Sequence, residues 1–176
     1  MTKALVIIDI QNDYFPGGAM ELVGSIEAAE VAAKIQQDFR EQGLPVINVQ
    51  HIAKSPSATF FLPNTEGAEI HESVKPLDSE TIIVKHFPNA FRETALLDSL
   101  KNIEVSELVI VGMMSHMCID TTVRAASDLG FSVTVYADAC AAKDLEFEGR
   151  VTSAADVQTA FMSAIDGSFA TVLNHN

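Results

Sequence analysis

A chain of 176 residues with 24 Asp and Glu against 11 Lys and Arg, a formal charge of −13, carries no basic footprint for a phosphate backbone, so nucleic acid is not an expected partner. Its two cysteines, Cys118 and Cys140, form no C-x-x-C pair, which argues against a disulfide framework or zinc knuckle and makes a reducing cytoplasm the expected compartment. The longest early apolar run, ALVII, meets Asp9 after five residues, too short for a signal-peptide core or a membrane span.

Short β-branched runs alternate with helical patterns along the chain. ALVIIDI (4–10) reads as a strand, and Ser25 is placed to cap a helix whose Ala28, Val31, Ala32, Ile35 and Phe39 share one face. Gly43 and Pro45 end that helix, and PVINVQ (45–50) forms the second strand. Residues 51–80, rich in Pro, Ser, Thr and Glu, form a long irregular excursion, which in a compact domain is usually functional or mobile. TIIVK (81–85) is the third strand, Leu96, Leu97 and Leu100 mark a helix, and LVIVGM (108–113) is the fourth strand. Ile119, Val123 and Ala126 mark a third helix that stops near Gly130, followed by the strand SVTVYAD (132–138). Ser153, with Asp156 three residues on, begins a last helix in the manner of a capping box, and FATVL (169–173) closes the pattern as a weaker strand. The strands are nearly continuous in apolar character, as strands covered on both faces are. The order predicts one domain over residues 1–176, a three-layer α/β/α sandwich around a six-stranded, mostly parallel Rossmann-like sheet.

Ligands of open α/β sheets bind beyond the carboxyl ends of the strands, so reactive side chains at strand ends are the ones to select. Asp9 ends the first strand, Lys85 ends the third, and Cys118 opens the helix after the fourth. Together they would bring an acid, a cation and a nucleophile to one rim. Each also has a plainer reading: a buried cysteine is usually inert, and Asp9 with Lys85 could be a structural ion pair. A helix start favours negative charge and offers unpaired N–H groups, which is where a cysteine gains reactivity and where an oxyanion can be held. Cys140, in DACAA, reads as a packing residue.

Three blocks, VIIDIQNDYF (6–15), KHFPNAFRETAL (85–96) and GMMSHMCIDTTVRAASDLGFSVTVYADAC (112–140), resemble the signature blocks of the isochorismatase-like cysteine hydrolases, in that family's order. The family includes nicotinamidases, N-carbamoyl amidohydrolases and isochorismatases. The resemblance implies a catalytic triad of Asp9, Lys85 and Cys118, a non-proline cis peptide at Met113–Met114, and an oxyanion hole of the Met114 and Cys118 backbone N–H groups. It further implies an amide-type C–N bond of a small molecule as the target, cleaved through a cysteine thioester, and a homodimer or homotetramer. Phe15 and Phe91 match positions that wall the family's pocket. His116, beside the nucleophile, and Gln11, in the loop after the first strand, are further pocket candidates.

Departures from the family are also legible. Nicotinamidases commonly hold a metal through an Asp-x-His pair after the second strand, and VQHIAKSPSATFF has His51 without that pair. No metal and no cofactor is therefore expected, and His51 and His71 read as structural or solvent-facing. Retention of Cys118 argues against vinyl-ether hydrolysis, which does not need the thiol, although an isochorismatase-type reaction and a nicotinamidase-like amidase lacking the usual metal remain open. A nucleotide-binding module is disfavoured, because DIQNDYFPGG supplies neither G-x-G-x-x-G nor G-x-x-x-x-G-K-[ST]. A phosphoacceptor domain would leave Cys118 without a role, and a catalytically silent scaffold would predict no selective labelling of it.

Overall fold

Successive side chains of a strand point to opposite faces, so one apolar run can feed two cores. The first strand, β1 (Thr2–Ile8), does so: Ala4, Val6 and Ile8 join one buried cluster, Leu5 and Ile7 the other. In the computed structural model, which describes residues 2–175, helix α1 (Ser25–Glu41) covers the second face with Ala28, Ala29, Ala32, Ile35 and Phe39. Helices α2 (Leu96–Asn102), α3 (Asp120–Asp128) and α4 (Ala154–Ile165) cover the first through Leu96, Leu100, Val123, Ala126, Met162 and Ile165. Both faces of the central strands are thus covered, which explains why those strand sequences show little polar alternation.

The remaining strands are β2 (Val46–His51), β3 (Thr81–Lys85), β4 (Val105–Met113), β5 (Ser132–Ala141), the pair β6 (Leu145–Phe147) and β7 (Arg150–Thr152), and β8 (Thr171–Leu173). Six of them form one sheet in the order β3-β2-β1-β4-β5-β8, and every neighbouring pair is parallel. The chain runs from β1 outward to β3, then returns across β1 to lay down β4. The reversal leaves a crevice between the carboxyl ends of β1 and β4, the usual ligand position in such sheets.

Glycine is required where those two strands end. Gly112 has φ +130°, and a Cβ there would stand 1.9 Å from the Ile8 carbonyl oxygen. No other residue lets β4 pass so close to β1.

Three local features differ from the sequence expectation. Gly24, at φ +73°, takes the N-cap of α1 without a side-chain bond, and Ser25 is the first helical residue. At α4 the cap is as expected, with Ser153 Oγ accepting the Asp156 N–H at 3.1 Å. A five-residue π turn, Ser115–Ile119, precedes α3, so Cys118 lies within a widened turn and not at a simple helix start. Last, β6 and β7 form an antiparallel hairpin that the sequence reading did not contain. Its strands are three residues each, and only Leu145, Phe147 and Val151 are apolar, too few to show a period.

The 51–80 excursion folds back as two short 3₁₀ turns, Glu66–Ala68 and Glu72–Val74. The Arg40 guanidinium of α1 anchors its far end, donating to both carboxylate oxygens of Glu80 at 2.7 and 2.8 Å. Among the described residues, no helix is long and apolar enough to cross a membrane.

Candidate active site

Four adjacent strand ends deliver the site. Asp9 follows β1 directly and adopts φ +53°, a conformation costly for a non-glycine residue unless its surroundings fix it. Its N–H donates to the Val49 carbonyl at 3.0 Å, which ties the turn to β2. His51 and Lys85 are the last residues of β2 and β3 and stand opposite each other in register. Cys118 comes from the π turn after β4.

The structure brings Asp9, Lys85 and Cys118 together in the interior, at 0%, 0% and 5% exposure. Lys85 Nζ is the centre. It lies 2.7 Å from Asp9 Oδ2 and donates to Cys118 Sγ at 3.3 Å, to the Phe87 carbonyl at 3.0 Å and to His51 Nδ1 at 2.8 Å. An ammonium has three hydrogens, and the four groups around Nζ share them. The contact with Asp9 is an ion pair and the shortest of the four.

The electrostatics follow from burial and from these neighbours. Burial opposes the Lys85 charge, but Asp9 and then Cys118 outweigh it and raise its pKa, so the side chain is an ammonium. The Cys118 thiol is pushed up, first by burial and next by Asp9, against a smaller downward pull from Lys85. Burial and Asp9 together therefore favour the protonated thiol over the thiolate. His51 is lowered from 6.5 to about 4 by burial and then by Lys85, so it is a neutral imidazole accepting at Nδ1.

The sequence reads His51 as structural or solvent-facing, and the structure places its imidazole against Lys85 at 2.8 Å. The signal was available, because the rule that selected Asp9 and Lys85 also selects the end of the second strand. That strand runs one residue further than expected, to His51. Tyr14 and Phe61 were missed as well. Both are buried, their rings are 4.6 Å apart, and Phe61 faces the His51 ring at 5.8 Å. Tyr14 has its pKa raised by burial and then by Cys118 and Asp9, which places its phenol in the field of the site. Phe61 is at φ +54°, with its N–H donating to Asp13 Oδ2 at 2.7 Å. The excursion therefore drops an aromatic cover onto the site, latched by a buried carboxylate.

The other sequence candidates are distributed around this centre. The Met113–Met114 peptide is cis and leads into the π turn. Gln11, read as a pocket residue, is fully buried, and its amide is consumed by the backbone. Nε2 donates to the His51 and Ala68 carbonyls at 2.9 and 2.7 Å, and Oε1 accepts the His51 N–H at 2.8 Å. It positions His51 and presents no free polar atom. Phe15 stacks on His71 at 3.6 Å between ring centres, and Phe91 stacks on Phe131 at 6.2 Å beside the cluster that contains Cys118. His116 turns its ring edge-on to Phe161 of α4, with burial and then Lys143 lowering its pKa. Cys140 is buried, donates to the Tyr136 carbonyl at 3.4 Å and is pushed up to about 12 by burial, as fits a packing residue.

Asp9, His51 and Cys118 bring ligand atoms within 4.8 Å of one another, a donor set that a borderline-soft cation could use. The Lys85 ammonium already stands against all three donors, at 2.7, 2.8 and 3.3 Å. The cation position is filled from within the chain, so these residues do not fit a resident metal.

Comparisons with known proteins place the chain in a family. An isochorismatase domain model matches residues 3–176. The isochorismatase family protein YddQ of Bacillus subtilis is 54% identical over 172 residues, covering 98% of this chain and 96% of that one. An isochorismatase-family crystal structure from Oleispira antarctica superposes with a TM-score of 0.95 at 48% identity, covering 98% of this chain and 93% of the other. More distant is the nicotinamidase of Escherichia coli, 27% identical over 175 residues, covering 78% of this chain and 82% of that one.

Proposed function

The chain belongs to the isochorismatase family of hydrolases, and from that premise we propose that it cleaves an amide-type C–N bond of a small molecule through a thioester on Cys118. The observation that carries this reading is the single ammonium, Lys85, in contact with a buried carboxylate at 2.7 Å and a buried thiol at 3.3 Å. Such a trio unites a proton acceptor, a fixed charge and a nucleophile out of water, where each electrostatic contact is strong.

Burial and Asp9 favour the protonated thiol, so attack is coupled to proton transfer. Asp9 takes the Sγ proton as sulfur bonds to the carbonyl carbon, and Lys85 holds the charge that develops on the pair. Backbone N–H groups of Met114 and Cys118 receive the oxyanion of the tetrahedral intermediate. Its collapse breaks the C–N bond, and Asp9 returns the proton to the leaving amine. Water then adds to the thioester, giving up a proton to Asp9, and collapse releases the acid and the free thiol.

The distant nicotinamidase relative supports an amide as the target. The neutral, aromatic cover of Tyr14, Phe60 and Phe61 supports a compact, uncharged acyl group. The test is a panel of small amides, carbamoyl compounds and lactams, with peptide mass spectrometry of the quenched enzyme. An acyl adduct on Cys118, and none on Cys140, is the expected result. Turnover of an amide without any adduct on Cys118, even at short quench times in a slow substrate, argues against the thioester.

A further inference from the structure

The site contains a contradiction that the triad alone does not resolve. A lysine that donates squarely to Asp9 would satisfy the carboxylate and make it a poor acceptor for the thiol proton. Lys85 Nζ stands 2.7 Å from the fully buried Asp9 carboxylate, but its three hydrogens serve four neighbours. His51 Nδ1 at 2.8 Å, the Phe87 carbonyl at 3.0 Å and Cys118 Sγ at 3.3 Å compete with the carboxylate for them.

We propose that His51 is a positioning residue that competes with Asp9 for the Lys85 N–H groups, leaving the carboxylate less fully paired and readier to take the thiol proton. This rests on the reading of Asp9, Lys85 and Cys118 as the reacting groups. His51 is built for the task. Gln11 grips its backbone on both sides, with bonds of 2.9 and 2.8 Å, and the Phe61 ring lies against its imidazole. An accepting Nδ1 places the ring proton on Nε2. The charged or titratable groups around the ring are Lys85, Asp9, Cys118 and His86, and burial together with the Lys85 ammonium keeps it neutral. His86 is itself held by the Ile52 carbonyl through Nδ1 at 2.7 Å and does not compete for Lys85.

Two amides of similar polarity separate this role from simple space-filling. His51→Asn puts its side-chain oxygen where Nδ1 stood, whereas His51→Gln reaches past that position to where Nε2 stood. The measurement is the pH dependence of iodoacetamide alkylation at Cys118, followed by peptide mass spectrometry on folded protein. His51→Gln should slow the reaction at pH 7 about tenfold and move its pH limb downward by about one unit, because the released N–H turns onto Asp9 and weakens it as a base. His51→Asn should stay within about twofold of the parent, since it restores the acceptor. An unshifted His51→Gln limb, or equal loss in both variants, overturns the inference. His51→Leu, with no acceptor at all, should behave as His51→Gln and serves if that variant does not fold. Turnover by Cys118→Ala would instead bring down the underlying reading, so the two failures are distinguishable.

Discussion

Lys85 is the residue on which the site turns, since its ammonium touches the carboxylate, the thiol and the imidazole at once. Lys85→Met should cost about 3–5 kcal/mol of stability, because it strands the buried Asp9 charge without a partner. Denaturant unfolding reads this directly, and a variant as stable as the parent would contradict it. His51 sets a second expectation. Its folded-state value of about 4 lies below the ordinary 6.5, so the unfolded chain binds a proton that the folded one refuses. The stability tied to the neutral ring is fully present above pH 6.5 and is lost as pH falls through about 4. The unfolding midpoint of His51→Asn should therefore fall less steeply than the parent's over that window, and parallel slopes would contradict the assignment. At this scale the sequence was legible wherever a reactive side chain ended a strand. It was illegible where a contact depended on the excursion, because Phe61 and Asp13 are 48 positions apart and meet only through the fold.

Among elements, the junction of β1 and β4 is the most constrained. Gly112→Ala would drive a methyl group into the Ile8 carbonyl at 1.9 Å, and backbone cannot give way there cheaply. It should destabilise the protein by about 2–4 kcal/mol and disturb the turn that carries Cys118. Ser153→Ala removes the cap of α4, remote from the triad, and should cost about 1 kcal/mol. Thermal melts of the two variants separate a strained junction from an ordinary helix end. β3 was legible to the residue, TIIVK at 81–85, since its β-branched run is bounded by chain breakers on both sides. β5 ran three residues past its expected end at Asp138, through Ala141, with a register shift against β4 between Ile110 and Gly112. An irregularity of that kind depends on the partner strand and leaves no period in the sequence. The π turn was hidden for a related reason: SHMCI has ordinary helical composition, and only its packing after the β4 end widens it.

For the molecule as a whole, a charge of −13 on 176 residues means self-repulsion at neutral pH. Raising salt from about 10 mM to about 150 mM should raise the unfolding midpoint as exposed carboxylates are screened, while the buried Asp9–Lys85 pair is little affected. A midpoint that falls with salt would show that surface ion pairs outweigh the repulsion. The six-stranded parallel sheet explains why charge and chemistry are so cleanly separated: acidic residues populate the surface, and the reacting groups stand at the switch point beneath an aromatic cover. The central claim is that Cys118 is the nucleophile, and the rate of amide hydrolysis by Cys118→Ala, measured beside the parent, tests it most directly. The account predicts turnover reduced by at least about a thousandfold in a variant that melts near the parent's temperature; undiminished hydrolysis by that variant would contradict it.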